Sequence, residues 1–97
     1  MKFAIRLTDS AIEDFDYFRK NERRIIADGI ALFLTHEANV ETRRRKPLRP
    51  NRIASWELRI DDYRVFYDLE GDDGVKVVAV GHKEHNDLYI RGKKVEL

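Results

Sequence analysis

The chain has 97 residues, of which 42% are apolar and 38% charged, with a formal net charge of +1. That length suits one compact domain over residues 1–97 and is too short for two. At this size about two-thirds or less of the unfolded chain's surface is buried, which excludes a large enclosed cofactor pocket, so no cofactor is expected and any active site is shallow. The absence of cysteine rules out a disulfide framework, a zinc knuckle and thiol catalysis. No stretch approaches the roughly 20 apolar residues needed to cross a bilayer. The opening MKFAIRLTDSAIEDF lacks the apolar run and cleavage site of a secretory signal, so the expected location is cytoplasmic.

The charge is unevenly placed. Residues 1–42 carry 6 basic and 8 acidic side chains, residues 43–64 carry 8 and 3, and residues 65–97 carry 5 and 7. The positive excess therefore sits in Arg43, Arg44, Arg45, Lys46, Arg49, Arg52, Arg59 and Arg64, and a local basic surface attracts polyanions whatever the net charge of the whole. The same run also fits an ordinary solvated loop.

In chain order, Phe3, Ile5 and Leu7 alternate with polar or small residues, which predicts a strand over Met1–Leu7. Ser10 and Glu13 form a capping box for a first helix over about residues 9–20, with Ile12, Phe15 and Phe18 on its apolar face. Asn21 and Glu22 offer a break and a new cap. Ile26, Ile30, Phe33 and Leu34 then carry a second helix to about His36, weakened by Gly29 and paired with the first as an antiparallel hairpin. His36 fits as a partner for the second helix's C-terminal dipole. Ala38–Ile53 has no sustained period and two prolines, so it reads as a loop with no strand in its middle.

Trp56, Leu58 and Ile60 alternate inward with Ser55, Glu57 and Arg59 outward. Tyr63–Leu69 and Val75–Val80 are the next two strands, joined by the turn Gly71–Gly74. Gly81–Leu97 is left open between a short helix, an edge strand and a tail that orders on binding. The order β, α, α, β, β, β gives an α+β fold: a small antiparallel sheet made of an N-terminal β-α-α unit and a three-strand meander. The helical hairpin packs on one face and leaves the other open.

The block Trp56-Glu57-Leu58-Arg59-Ile60-Asp61-Asp62-Tyr63-Arg64-Val65-Phe66-Tyr67, followed by Val80-Gly81-His82-Lys83-Glu84 and Tyr89, resembles the RelE/ParE family of toxins from type II toxin–antitoxin pairs. The resemblance spans nearly the whole chain and implies a cognate antitoxin as partner. Its RelE-like branch implies a ribosome-dependent, metal-independent mRNA endonuclease that inhibits translation, with ribosome and mRNA as further partners. In such a reaction the substrate's 2′-hydroxyl attacks the adjacent phosphate, so the protein must remove a proton, stabilise the phosphorane and protonate the leaving oxygen.

By this resemblance Arg64 falls on the catalytic arginine, Lys83 on a second cation, Arg59 on a strand arginine near the phosphate, and Tyr89 on a tyrosine that meets the base. Two lysines of the active pattern correspond here to Ser55 and Glu57. Either Glu57 is itself the base, with His82 or His85 as the acid, or the lysines were lost together with the activity. The basic run Arg43, Arg44, Arg45, Lys46, Arg49 and Arg52 is the candidate RNA-backbone contact, or else the surface that takes an acidic antitoxin segment. Two further readings stay open: a ParE-like inhibitor of DNA gyrase, and a non-toxic binding module of the same fold.

Overall fold

The structure is a computed structural model that describes residues 2–97; Met1, the first residue of the expected opening strand, lies outside them. The elements are β1 (Ala4–Leu7), α1 (Asp9–Asp16), α2 (Lys20–Leu34), β2 (Arg45–Pro47), β3 (Trp56–Ile60), β4 (Tyr63–Glu70), β5 (Gly74–Glu84), β6 (Asp87–Ile90) and β7 (Lys93–Val95). The α+β fold is as expected, but the sheet has seven strands. β2 to β7 follow in order, each antiparallel to the next, while β1 runs parallel to β5. Among the described residues no helix is long and apolar enough to cross a membrane.

Helix α1 starts at Asp9, as expected, and is capped by Thr8 and not by Ser10: the Thr8 hydroxyl accepts the Ala11 N–H. It ends at Asp16, and α2 starts at Lys20 with the Glu22 carboxylate accepting the Arg19 N–H at 3.0 Å. Both helices cover the same side of the sheet, where Ala11, Phe18, Ile26, Ile30 and Leu34 pack on Leu58, Ile60, Val65, Tyr67, Val75, Val77 and Val80.

On β5 the register slips between Phe66 and Tyr67 of β4, so that Val78 is an extra residue. Such a bulge turns two consecutive side chains to one face. It lets Val77 and Val80 both face the helices, while Val78 and Ala79 face away.

The opposite face is not open. Phe66 is fully buried there with Ala54, Ala79 and Leu88, under Leu48, Ile53, Ile90 and Val95. The cover comes from the 48–54 loop and from the C-terminal segment, which forms two further strands. Its hairpin turns, His85–Asn86 and Arg91–Gly92, have φ of 51° and 72° and of 50° and 77°, the left-handed pair that two-residue hairpins require. No periodicity rule finds these strands, because each has only three or four residues.

The expectation of a strandless 38–53 segment is also corrected. Arg45–Pro47 pairs with Trp56–Leu58 as an edge strand, and Pro47 is tolerated because an edge strand needs only half its hydrogen bonds.

Gly29 is required by packing and not merely tolerated. A Cβ built there would lie 2.4 Å from Cδ1 and 2.8 Å from Cγ1 of Ile60. Gly29→Ala gains about 1 kcal/mol in helix propensity but forces α2 away from β3, an overpacking cost of about 1–3 kcal/mol. Urea unfolding of Gly29→Ala is expected to show a net loss of stability; a variant more stable than wild type would refute this contact.

Candidate functional site

The turn from β3 to β4 sets the centre of the site. Arg59 lies opposite Arg64, and Glu57 opposite both Lys46 and Phe66, so these polar residues share the face away from the helices. The Glu57 side chain is only 6% exposed. Its Oε1 accepts the Arg59 Nε–H at 3.1 Å and lies 3.6 Å from Arg64 Nε.

Arg64 is 14% exposed on its side chain, and its Nη1 donates to the carbonyls of Asp61 and Tyr63 at 2.8 and 3.0 Å. Burial pulls the Arg64 guanidinium below its ordinary range, and the Glu57 carboxylate opposes that shift. Arg59 is 43% exposed and commits only its Nε to Glu57. Of the two expected strand arginines, Arg64 is therefore turned inward and Arg59 outward.

Lys83 shares the Arg64 face by register, since Arg64 is opposite Gly81. Tyr89 does not. It pairs with His82 on the helix side, where the two rings stack at 5.6 Å and Phe18 meets His82 edge-on. His85 lies in the exposed hairpin turn. Tyr89 and His82 thus reach the same end of the sheet as Arg64, but on the face opposite Arg64 and Glu57, because strand side chains alternate.

The basic run divides three ways. Arg45 faces the helices, with its side chain 8% exposed. Its Nε donates to the Val40 carbonyl, its Nη1 to the Phe33 carbonyl in the last turn of α2, and its Nη2 to Glu37. Arg45 therefore fills the helix-terminus role read for His36, which is exposed, and it has no surface left for RNA. Arg43, Arg44 and Lys46 gather with Arg59 along a groove beside β2, flanked by Thr42, Glu41 and Asp61. Arg49 and Arg52 lie at the other end of β3, near Ser55 and Asp68.

A second cleft was not foreseen. It lies between the helix junction and the start of β4, lined by Tyr17, Phe18, Arg19, Glu22, Tyr63 and His82 among others. Glu22 carries two bonds there: one oxygen accepts the Arg19 N–H and the other the Tyr63 hydroxyl at 2.9 Å. The only signal in the sequence is a glutamate at the third position of α2, without the serine or threonine that normally accompanies it. Among the described residues no group of three or more His, Asp or Glu side chains could hold a metal ion.

Residues 5–87 match the family described as the ParE toxin of type II toxin-antitoxin system, parDE. The chain belongs to the ParE toxin family. This is the RelE/ParE group suggested by the strand motifs, and the chain is thus of the toxin type in such pairs. The fold of this ParE-family chain is similar to one in the RelBE2 toxin–antitoxin complex from Mycobacterium tuberculosis. The TM-score is 0.71 at 22% identity, over 86% of this chain and 100% of the other. No curated protein matches.

Two outcomes are expected of this toxin's site. Glu57→Ala leaves the largely buried Arg64 without its carboxylate and should cost about 3–5 kcal/mol in denaturant unfolding; a loss below about 1 kcal/mol would show that the pair is not buried in effect. Glu22 is held below the ordinary carboxylate range, first by the Arg19 N–H and then by the Tyr63 hydroxyl. Its contribution to stability is therefore complete above the ordinary glutamate value and is lost as pH falls through the lowered folded value. A Glu22→Gln variant should lose stability less steeply than wild type on acidification below about pH 5, and parallel curves would contradict this.

Proposed function

We propose that this chain is the toxin half of a type II pair, neutralised by a cognate antitoxin, and that it acts in the cytoplasm by binding DNA gyrase and not by cleaving RNA. The observation that carries this reading is the Glu57 carboxylate. It stands where the active endonuclease pattern has a lysine, and it engages both strand arginines from a nearly buried position. An endonuclease needs a free base and uncommitted cations around the phosphorane. Here the carboxylate accepts from Arg59 and lies 3.6 Å from Arg64, the Arg64 Nη1 is held by the carbonyls of its own turn, and Tyr89 lies across the sheet. The ParE name of the matching family supports the same branch, and the similar chain from a solved toxin–antitoxin complex supports an antitoxin partner.

The second reading, a ribosome-dependent mRNA endonuclease, draws on Arg59. It is the more exposed of the two strand arginines, with only its Nε engaged, and it adjoins Arg43 and Lys46. One experiment separates the two: purified toxin is added in parallel to a gyrase supercoiling assay and to ribosomes translating a defined message. The proposal expects inhibited supercoiling with trapped cleaved DNA, an intact message, and unchanged inhibition by a folded Arg64→Lys variant. Message cleavage lost in Arg64→Lys would establish the endonuclease instead, and harmless expression without antitoxin would leave only a binding module.

A further inference from the structure

Several cations are neutralised internally: Arg6 by Glu70, Arg45 by Glu37, Arg64 beside Glu57, Arg91 by Asp14 and Lys94 by Asp87. The groove beside β2 gathers cations that are not. Among the described residues neither Arg43 nor Lys46 has a carboxylate within ion-pair distance. Arg59 joins them with only its Nε engaged, which leaves its Nη donors available, and a guanidinium suits phosphate oxygens because its donors are planar and permanently charged.

We propose that the groove lined by Thr42, Arg43, Lys46 and Arg59 binds the phosphodiester backbone of duplex DNA. This goes beyond the gyrase reading, because it assigns the toxin a nucleic-acid contact of its own. Three cations converge on one groove from separate parts of the chain, the turn before β2, β2 itself and β3. Arg43, Arg44, Lys46 and Arg59 face three carboxylates, Glu41 at the rim, Asp61 beyond Arg43 and the nearly buried Glu57 opposite Lys46, so positive charge is in excess by one.

Among the described residues no aromatic side chain lines the groove, and this decides between duplex and single strand. The nearby Phe33 ring is covered by the Arg44 guanidinium at 4.6 Å, and the His82–Tyr89 stack belongs to the other face. Single-strand binding draws much of its strength from stacked bases, whereas a duplex backbone needs only placed cations and carries no sequence information.

The test is the salt dependence of binding to a fluorescently labelled DNA duplex of arbitrary sequence, followed by anisotropy with the full chain and no gyrase present. Three phosphate contacts should weaken binding about 40-fold between 50 and 200 mM salt, at a slope of about 0.9 per contact. Arg43→Gln or Lys46→Gln, both at exposed positions without internal ion pairs, should each reduce that dependence to about 12-fold. Arg49→Gln and Arg52→Gln, at the far end of β3, should leave it unchanged.

Absence of duplex binding would overturn the proposal, as would equal effects of the Arg49 and Arg52 variants. Tighter binding of a single-stranded RNA of the same length, or of a polyglutamate peptide, would overturn it in favour of those ligands. Because gyrase takes no part, failure here leaves the gyrase reading standing, and failure of that reading leaves this groove standing.

Discussion

The fold turns on a gap beside strand β5. Along one edge β5 pairs with β4; along the other it pairs with β1 as far as Val77 and with β6 only from His82 onward. Between them the Val80 N–H faces neither strand, and a buried amide without a partner is costly. Asp14 of α1 supplies the acceptor at 3.1 Å, and its own carboxylate, 1% exposed, is compensated by Arg91 from the β6–β7 turn at 2.7 Å. Burial raises the Asp14 pKa, and the Val80 amide and Arg91 oppose the rise. One carboxylate thus ties the first helix, the longest strand and the C-terminal hairpin together. That hairpin is what closes the second face over Phe66.

The same economy of charge governs the candidate site. Residues 43–64 hold the chain's positive excess, but tertiary structure divides it into cations used for folding and cations left over. Arg45 binds the end of α2, and Arg64 binds its own turn and Glu57. Arg43, Lys46 and most of the Arg59 head group remain for a partner at the groove beside β2, and Arg49 and Arg52 remain exposed at the other end of β3. A buried cation held by carbonyls and set beside a carboxylate contributes less to an external field, since those groups offset it at short range. The balance of a segment overstates the charge that a ligand meets.

The strands with two-residue alternation were legible, as were both helices, because Trp56-Leu58-Ile60 and Ile26-Ile30-Phe33 each repeat at one period over a full element. Strands β2, β6 and β7 were not, because three or four residues are too few for a period to show. At the site, the family motif named Arg59, Arg64, Lys83 and Tyr89, and alternation along a strand could assign a face only where the register was known. The bulge at Val78 and the His82–Tyr89 pairing supply that register, and neither has a local signature. Nothing local to Asp14 marks its role, because the amide it accepts from, that of Val80, lies 66 residues away.

What the sequence by itself determined is a single α+β domain of the toxin family with a basic stretch leading into two strand arginines. Composition, period and motif are local properties, so they survive without coordinates. What only the tertiary structure decided is which of those charges face each other: Arg64 turns inward onto its own turn beside Glu57, Arg45 caps a helix, and Tyr89 takes the opposite face from Arg64. Those outcomes follow from strand register and burial, where one residue of slip exchanges the two faces, and no property of a single position records them.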